Sequence, residues 1–170
     1  MYNMCGNIRQ TIICAFSGNT VEWRFYDRLH QHDFTAVRDG NRITITGTFA
    51  GARVEKTIDA GMTPWFQEPG LQAFKFITGG ETYCDYIAII PSTLETMNYS
   101  LIKSGDEPIT MNAKKTVMLK VENKYSGVMS AILVSQYWFK KNDGLFAVYK
   151  GPGLDPLARE SMMRLLKESK

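Results

Sequence analysis

The chain has 170 residues, of which 44% are hydrophobic and 22% are charged, and its formal net charge is +3. This size and balance exclude a disordered tail or a fibrous repeat and predict a single globular domain over residues 1–170. The small excess of basic residues is scattered and carries no recognisable motif, which argues against nucleic-acid binding.

Cysteine usage and the N-terminal residues bear on the compartment. Cys5, Cys14 and Cys84 cannot all pair and show no C-x-x-C spacing, so a reducing compartment is favoured. The start lacks the basic cluster and the apolar core of a secretory signal, and no stretch approaches the roughly 18 apolar residues that span a membrane. As it stands, the sequence predicts a cytoplasmic protein without a transmembrane segment; removal of a leader would make it periplasmic.

Alternation of apolar and polar residues predicts strands in the first third of the chain. Between residues 20 and 29, Val21, Trp23 and Phe25 alternate with charged or polar neighbours at a period of two. Similar runs, separated by turn residues, cover 34–38, 42–49 and 53–58. Residues 20 to 58 are therefore predicted to form a four-stranded meander.

The strand pattern breaks between Asp59 and Gly80. Thr63 is a candidate N-cap with Pro64 at the first helical position, but Pro69 and Gly70 interrupt any helix begun there. The sequence predicts two short helical pieces near 63–78.

Strand signals resume after Gly80 and continue to about residue 149. They cover 81–90, 94–103, an edge piece at 108–111 and 116–122, with a turn predicted at Ser104-Gly105-Asp106. Two further β-rich runs between Met129 and Tyr149 flank Asn142-Asp143-Gly144, which predicts a long hairpin.

A C-terminal helix is predicted near 155–168. Asp155 is a candidate N-cap, Pro156 suits the first helical turn, and an apolar stripe follows at helical spacing. The stripe consists of Ala158, Met162, Leu165 and Leu166.

Together these elements predict a mainly β protein. The expected architecture is a single large curved antiparallel sheet or (half-)barrel of about 9–11 strands, with the helical insertion and the C-terminal helix, because so large a sheet tends to curl or close.

The 129–149 hairpin is apolar on both faces. One face carries Ile132, Val134 and Trp138, and the other carries Leu133, Tyr137 and Phe139. One face would cover the core, so the C-terminal helix, a partner chain or a ligand must cover the other. The C-terminal helix is the favoured cover.

Few residue groups suggest chemistry. His30 and His32 would share one face of an extended strand and are weak candidates for metal ligands, but exposed histidines at a strand end are the favoured interpretation. Cys84 has no base nearby in the sequence and is interpreted as a small buried thiol. The sequence contains no nucleophile elbow, Walker loop or dinucleotide motif. We therefore predict no catalytic residue, no cofactor and no metal site, and a protein that is not an enzyme.

Three stretches carry a family resemblance: Pro64-Trp-Phe-Gln67, the run from Tyr83 to Pro91, and the run from Tyr137 to Phe146. The chain resembles a group of uncharacterised bacterial proteins with a large curved antiparallel sheet, distantly similar to outer-membrane lipoprotein carriers. The resemblance implies a fold and no catalytic residues. Many such proteins look exported, whereas no leader is visible here.

Two functional hypotheses follow. The first is a non-enzymatic binding protein that holds a lipid-like or other apolar small molecule in the curved sheet. Its predicted ligand-binding residues are aromatic: Trp23, Trp65, Tyr83, Tyr99 and Trp138. The second is a structural or interaction protein that forms a homodimer, or docks a protein partner, through the 129–149 hairpin.

Overall fold

The structure of the protein is a computed structural model. It describes residues 2–4, 7–111, 113–126, 134–152 and 160–164.

Six antiparallel strands in chain order form the first sheet. This arrangement confirms the meander predicted for residues 20–58 and extends it by two strands at its N-terminal side. The strands are β1 (Tyr2–Met4), β2 (Ile8–Cys14), β3 (Thr20–Asp27), β4 (His32–Asp39), β5 (Arg42–Phe49) and β6 (Ala52–Asp59).

The second sheet also has six antiparallel strands in chain order. Two short helices, α1 (Pro69–Gln72) and α2 (Phe74–Thr78), lie in the connection between the sheets. The strands are β7 (Tyr83–Ile89), β8 (Thr96–Met111), β9 (Lys114–Tyr125), β10 (Val134–Phe139), β11 (Phe146–Pro152) and β12 (Glu160–Arg164).

The fold is mainly β as predicted, but the prediction of a single large sheet or (half-)barrel is wrong. The described strands divide into two sheets at the connection that follows Asp59. Splitting into packed sheets is the other way in which a strongly twisted array of this size limits its accumulated twist.

The core between the sheets contains residues from both of them. Trp23, Phe34 and Ile43 of the first sheet belong to the same buried cluster as Ile87 and Ile89 of β7. The apolar face of the first sheet is therefore buried against β7, the edge strand of the second sheet.

An extended segment, 64–66, joins the two sheets through its backbone. The Thr20 N–H donates to the Trp65 carbonyl at 2.8 Å, and the Phe66 N–H donates to the Ile87 carbonyl at 3.0 Å. Trp65 also forms a parallel bridge with Ile87. This pairing explains why the helical piece predicted to start at Thr63 and Pro64 is wrong. The helices begin only at Pro69.

The predicted turn at 104–106 is also wrong. β8 continues through it as one strand of 16 residues, and its pairing with β9 shifts register between Lys103 and Gly105. Gly105 has a φ of +104°, which fits a β-bulge in a continuous strand. A glycine-containing triplet is typical of both a turn and a β-bulge, so the sequence alone does not distinguish the two.

The predicted C-terminal helix is wrong over residues 160–164. These residues form β12, which pairs with β11 from Val148↔Arg164 to Pro152↔Glu160. The backbone edge of β11 offers a complete ladder, and pairing with it satisfies hydrogen-bonding groups that a helix would leave open on that edge. The remaining parts of the prediction, 155–159 and 165–168, lie outside the described residues.

The 142–144 turn confirms the predicted hairpin. Gly144 has a φ of +68°, its N–H donates to the Lys140 carbonyl, and the Leu145 N–H donates to Asp143 Oδ1. Residues 129–133 of the predicted hairpin lie outside the described part of the chain.

No helix in the described residues is long and apolar enough to cross a membrane.

Candidate functional site

Five of the eight tyrosines lie together on one face of the second sheet. We call them the tyrosine cluster: Tyr86, Tyr99, Tyr125, Tyr137 and Tyr149. Register places them together, because Tyr86, Tyr99 and Tyr125 are opposite one another on β7, β8 and β9. Tyr137 and Tyr149 are opposite each other on β10 and β11. Directly paired residues project to the same face of a sheet.

The rings of the tyrosine cluster are in contact within two groups, Tyr86, Tyr99 and Tyr125 in one and Tyr137 and Tyr149 in the other. Tyr86 and Tyr99 stack with centroids 5.3 Å apart and planes inclined by 17°, and Tyr125 meets Tyr99 edge-on at 5.9 Å. Tyr137 and Tyr149 pack at 5.1 Å. These separations are typical of attractive aromatic pairs.

The helical connection covers this face. Phe66 packs on Tyr86 with ring centroids 5.3 Å apart, and Phe76 and Ile77 of α2 belong to the same buried cluster as Tyr137 and Tyr149. α1 approaches the sheet closely, since a Cβ on Gly70 would lie 3.3 Å from Tyr137 Cε1.

Asn123 places a polar group beneath the rings. The Tyr86 hydroxyl donates to Asn123 Oδ1 at 2.8 Å, and the Asn123 side chain is 8% exposed. A buried amide and a buried hydroxyl thus satisfy each other, as buried polar groups require.

Glu68 immediately precedes α1. Its backbone N–H donates to Gln72 Oε1 at 2.6 Å, which fixes the local chain. Its negative charge contributes to raising the pKa of both Tyr86 and Tyr137.

The Glu68 carboxyl group has no partner among the residues that the structure describes. None of them donates a hydrogen bond to it or forms an ion pair with it. Burial raises the pKa of Glu68 from 4.5 to about 7, and no described cation offsets the effect. The group therefore titrates near neutral pH.

The tyrosine hydroxyls stay protonated at neutral pH. Burial is the main cause that raises the pKa of Tyr86 and Tyr137 well above the usual value, and it also raises the pKa of Tyr99. The site thus combines neutral aromatic rings and hydroxyl groups with one ionisable carboxyl group.

The tyrosine cluster is not sealed from solvent. Tyr86, Tyr137 and Tyr149 are 2%, 6% and 6% exposed, whereas Tyr99, Tyr125 and Glu68 keep intermediate exposure.

The predicted ligand-binding residues are distributed over several places. Trp23 and Trp65 lie together in the core between the sheets, both 0% exposed. Their indole N–H groups donate to Gln10 Oε1 and Gln67 Oε1 at 3.1 and 3.0 Å. Their polar atoms are therefore already used within the fold.

Tyr99 is the one predicted ligand-binding residue in the tyrosine cluster. Tyr83 is 52% exposed, and its hydroxyl bonds Asp85 and Ser100. Trp138 points to the opposite face of β10 from Tyr137, where it packs with Met118 and Val148. Its indole N–H donates to Glu107 Oε2 at 3.3 Å.

The second apolar face of the hairpin is covered by the chain itself in the described region. Tyr137, Trp138 and Phe139 are consecutive and all at most 6% exposed. Ile109 and Met111, from the far part of β8, pack against the cluster that contains Trp138.

His30 and His32 lie next to each other, with ring centroids 5.9 Å apart. His32 is 8% exposed, stacks on Phe49 at 4.5 Å, and accepts the Ala50 N–H at Nδ1. Burial lowers the pKa of His32. His30 Nδ1 lies 2.6 Å from Asp27 Oδ2. The described chain contains no group of three or more His, Cys, Asp or Glu side chains that could hold a metal ion.

Cys84 lies on β7 of the second sheet, whereas both histidines belong to the first sheet or its β3–β4 turn. Burial, followed by the charges of Asp85 and Glu81, raises the pKa of its thiol. A raised pKa leaves less of the thiolate that a nucleophile needs.

Sequence reasoning missed Glu68 and four of the five clustered tyrosines. Glu68 stands alone between Gln67 and Pro69, which gives no local sign of a site. The tyrosines are recognisable as a group only once the strand register is known.

No protein-family model, curated protein or solved structure matches this chain. The comparisons thus assign it to no enzyme family. The resemblance to curved-sheet bacterial proteins stays a prediction.

Proposed function

We propose that this chain is a non-enzymatic binding protein that holds a small molecule with an apolar body against the tyrosine cluster. One observation carries the proposal: five tyrosines from five neighbouring strands meet on one sheet face, and two of them, Tyr99 and Tyr125, remain half-buried. Ligand sites in proteins combine aromatic walls with a few polar groups in this way.

The proposed ligand is still lipid-like or otherwise apolar, as the sequence predicts, but of the five predicted ligand-binding residues only Tyr99 belongs to the tyrosine cluster. Trp23, Trp65 and Trp138 have their indole N–H groups bonded within the fold, so Tyr99 is the predicted residue that would touch the ligand. Tyr99 presents a half-buried ring between Tyr86 and Tyr125.

Binding of the neutral apolar dye Nile red, followed by its fluorescence, tests the proposal. Tyr99→Ala removes the middle ring of the stack, and we expect the affinity to fall about tenfold, the value of one buried aromatic contact. Tyr83→Ala is the matched control, since Tyr83 is an exposed tyrosine on the opposite face of the same pair of strands.

The proposal fails if the folded wild-type protein does not bind the dye, or if both substitutions change the affinity equally. Native mass spectrometry of the purified protein adds a second readout. A bound small molecule on a monomer supports the proposal. A dimer without ligand would favour the interaction role predicted for the 129–149 hairpin.

A further inference from the structure

We propose that β6, the last strand of the first sheet, pairs with β6 of a second copy of this chain and joins the two first sheets into one continuous antiparallel sheet. This surface is separate from the tyrosine cluster and from the 129–149 hairpin, and the inference does not rest on the proposed function.

The outer edge of β6 is open in the described part of the chain. β6 lies at the end of the strand order in the first sheet, where only β5 pairs with it. The pairing runs from Arg42↔Asp59 to Phe49↔Ala52 without a register shift, and β6 contains no proline. The free edge of β7 differs, because the segment 64–66 bonds it. A regular edge without a bulge, a proline or a covering segment is a template for a further strand.

The hydrogen-bonding groups on this edge belong to the odd-numbered residues of β6. The Ala60 N–H donates to the Asn41 carbonyl at 2.7 Å, and hydrogen-bonded pairs alternate with non-hydrogen-bonded pairs along an antiparallel ladder. The even-numbered residues of β6 therefore bond β5. No described residue bonds the backbone groups that point away from β5, which are those of Arg53, Glu55, Thr57 and Asp59.

Charge selects one register for the pair of β6 strands. A two-fold axis at Lys56 places Arg53 opposite Asp59 of the second copy, and Glu55 opposite Thr57 of the second copy. A shift of two residues in either direction would place Glu55 opposite Glu55 or Asp59 of the second copy, and larger shifts leave more of the strand unpaired. Directly opposite unlike charges stabilise a sheet and like charges destabilise it. β6 is therefore complementary to itself in the register centred on Lys56.

The same register covers apolar side chains at the margin of the core. Val54 and Ile58 are half-buried and pack against the cluster that contains Trp23. Val54 would lie opposite Ile58 of the second copy as a non-hydrogen-bonded pair, in which the two side chains are closer. Lys56 would face itself across the axis, although its Nζ is held by the Leu94 carbonyl at 2.7 Å. These two like charges limit the affinity, so we expect a weak dimer.

Sedimentation equilibrium of the full chain, from about 1 µM to about 1 mM protein, measures the dimer. Thr57→Pro removes an N–H that points away from β5, so it blocks the second copy without removing a bond of the first sheet. We expect this variant to be monomeric throughout the range. Thr57→Ala is the matched control, because it keeps the N–H and should still dimerise. Circular dichroism checks that both variants are folded.

Exchange of charges tests the register. Arg53→Glu and Asp59→Arg each place like charges opposite one another at two positions of the dimer, so we expect each to weaken it at least about tenfold. The double variant restores unlike charges and should dimerise more tightly than either single variant. Asp59→Arg also removes the bond from the Gly61 N–H to Asp59 Oδ1, but it does so in the single and the double variant alike. Lys115→Glu is the control, because it makes the same change of charge at an exposed residue of the second sheet.

Three results would overturn the inference. The first is a wild-type protein that stays monomeric over the whole range. The second is a dimer that survives Thr57→Pro, since it would use another surface such as the 129–149 hairpin. The third is a double variant that dimerises no more tightly than the single variants, because the charges would then not set the register.

Discussion

At the scale of single residues, Glu68 separates what the sequence could predict from what it could not. Tyr99 was predicted because it lies on a recognisable strand with an apolar face. Glu68 was not, because its importance comes from Tyr86 and Tyr137, which belong to strands far along the chain. The environment of a carboxyl group is a property of tertiary packing, and no local pattern encodes it.

Glu68 should make stability depend on pH. In the unfolded chain its proton dissociates near pH 4.5, whereas in the folded protein it is kept until about pH 7. The folded state thus binds more protons within this window, so the free energy of unfolding falls as pH rises from 4.5 to 7 and stays low above it. The loss is at most about 3 kcal/mol.

Urea unfolding of the wild type and of Glu68→Gln, repeated between pH 5 and pH 8, measures this effect. The variant should lack this contribution to the pH dependence and should be the more stable protein at pH 8. Parallel curves for the two proteins across this range would contradict the expectation.

At the scale of elements, alternation predicted strands well and their ends poorly. β5 was predicted with its exact bounds, Arg42–Phe49, because its isoleucines and threonines alternate strictly between clear turn signals. The predictions of a turn at 104–106 and of a C-terminal helix were wrong. The structure has a β-bulge and an edge strand there, and both depend on the neighbouring strand and not on the segment itself.

Gly144 offers a test of the hairpin turn. Its φ is +68°, and a Cβ there would lie 3.1 Å from Thr78 Cγ2 and 3.2 Å from the Phe74 carbonyl oxygen. Gly144→Ala combines a left-handed backbone with crowding, so we expect a loss of about 1–2 kcal/mol, or roughly 4 °C in Tm.

Gly80→Ala is the control for this substitution, since a Cβ at Gly80 meets nothing within 4 Å and the residue has no left-handed φ. Calorimetry should show a Tm close to that of the wild type for Gly80→Ala. If the two variants had equal Tm values, the turn would not require glycine.

At the scale of the whole molecule, periodicity identified the strands but not their division into two sheets. A strand with one apolar face packs equally well in a curled sheet or in one of two facing sheets. The segment around Trp65 determines the division into two sheets, because its backbone forms hydrogen bonds with both Thr20 and Ile87. The sequence instead predicted that a helix would start in that segment.

Gln67 holds this connection in place. It is 4% exposed; its Oε1 accepts the indole N–H of Trp65 and the Ile89 N–H, and its Nε2 donates to the Ile89 carbonyl. Gln67→Met would leave three buried polar groups without partners, so the free energy of unfolding should fall by at least about 3 kcal/mol.

Gln136→Met is the matched control, because the half-buried Gln136 side chain bonds no described residue. Urea denaturation monitored by tryptophan fluorescence compares the two variants with the wild type. A similar unfolding midpoint for both variants would show that Gln67 does not hold the sheets together.

The order of strands in both sheets has a consequence for synthesis. Each described strand pairs only with strands adjacent to it in the sequence, so the first sheet can form once Asp59 has left the ribosome. Its apolar face, with Trp23 and Ile43, is then exposed until Trp65 and Ile87 emerge to cover it. The nascent chain passes through a stage in which a formed sheet is open to misassociation, and this stage ends when the second sheet begins.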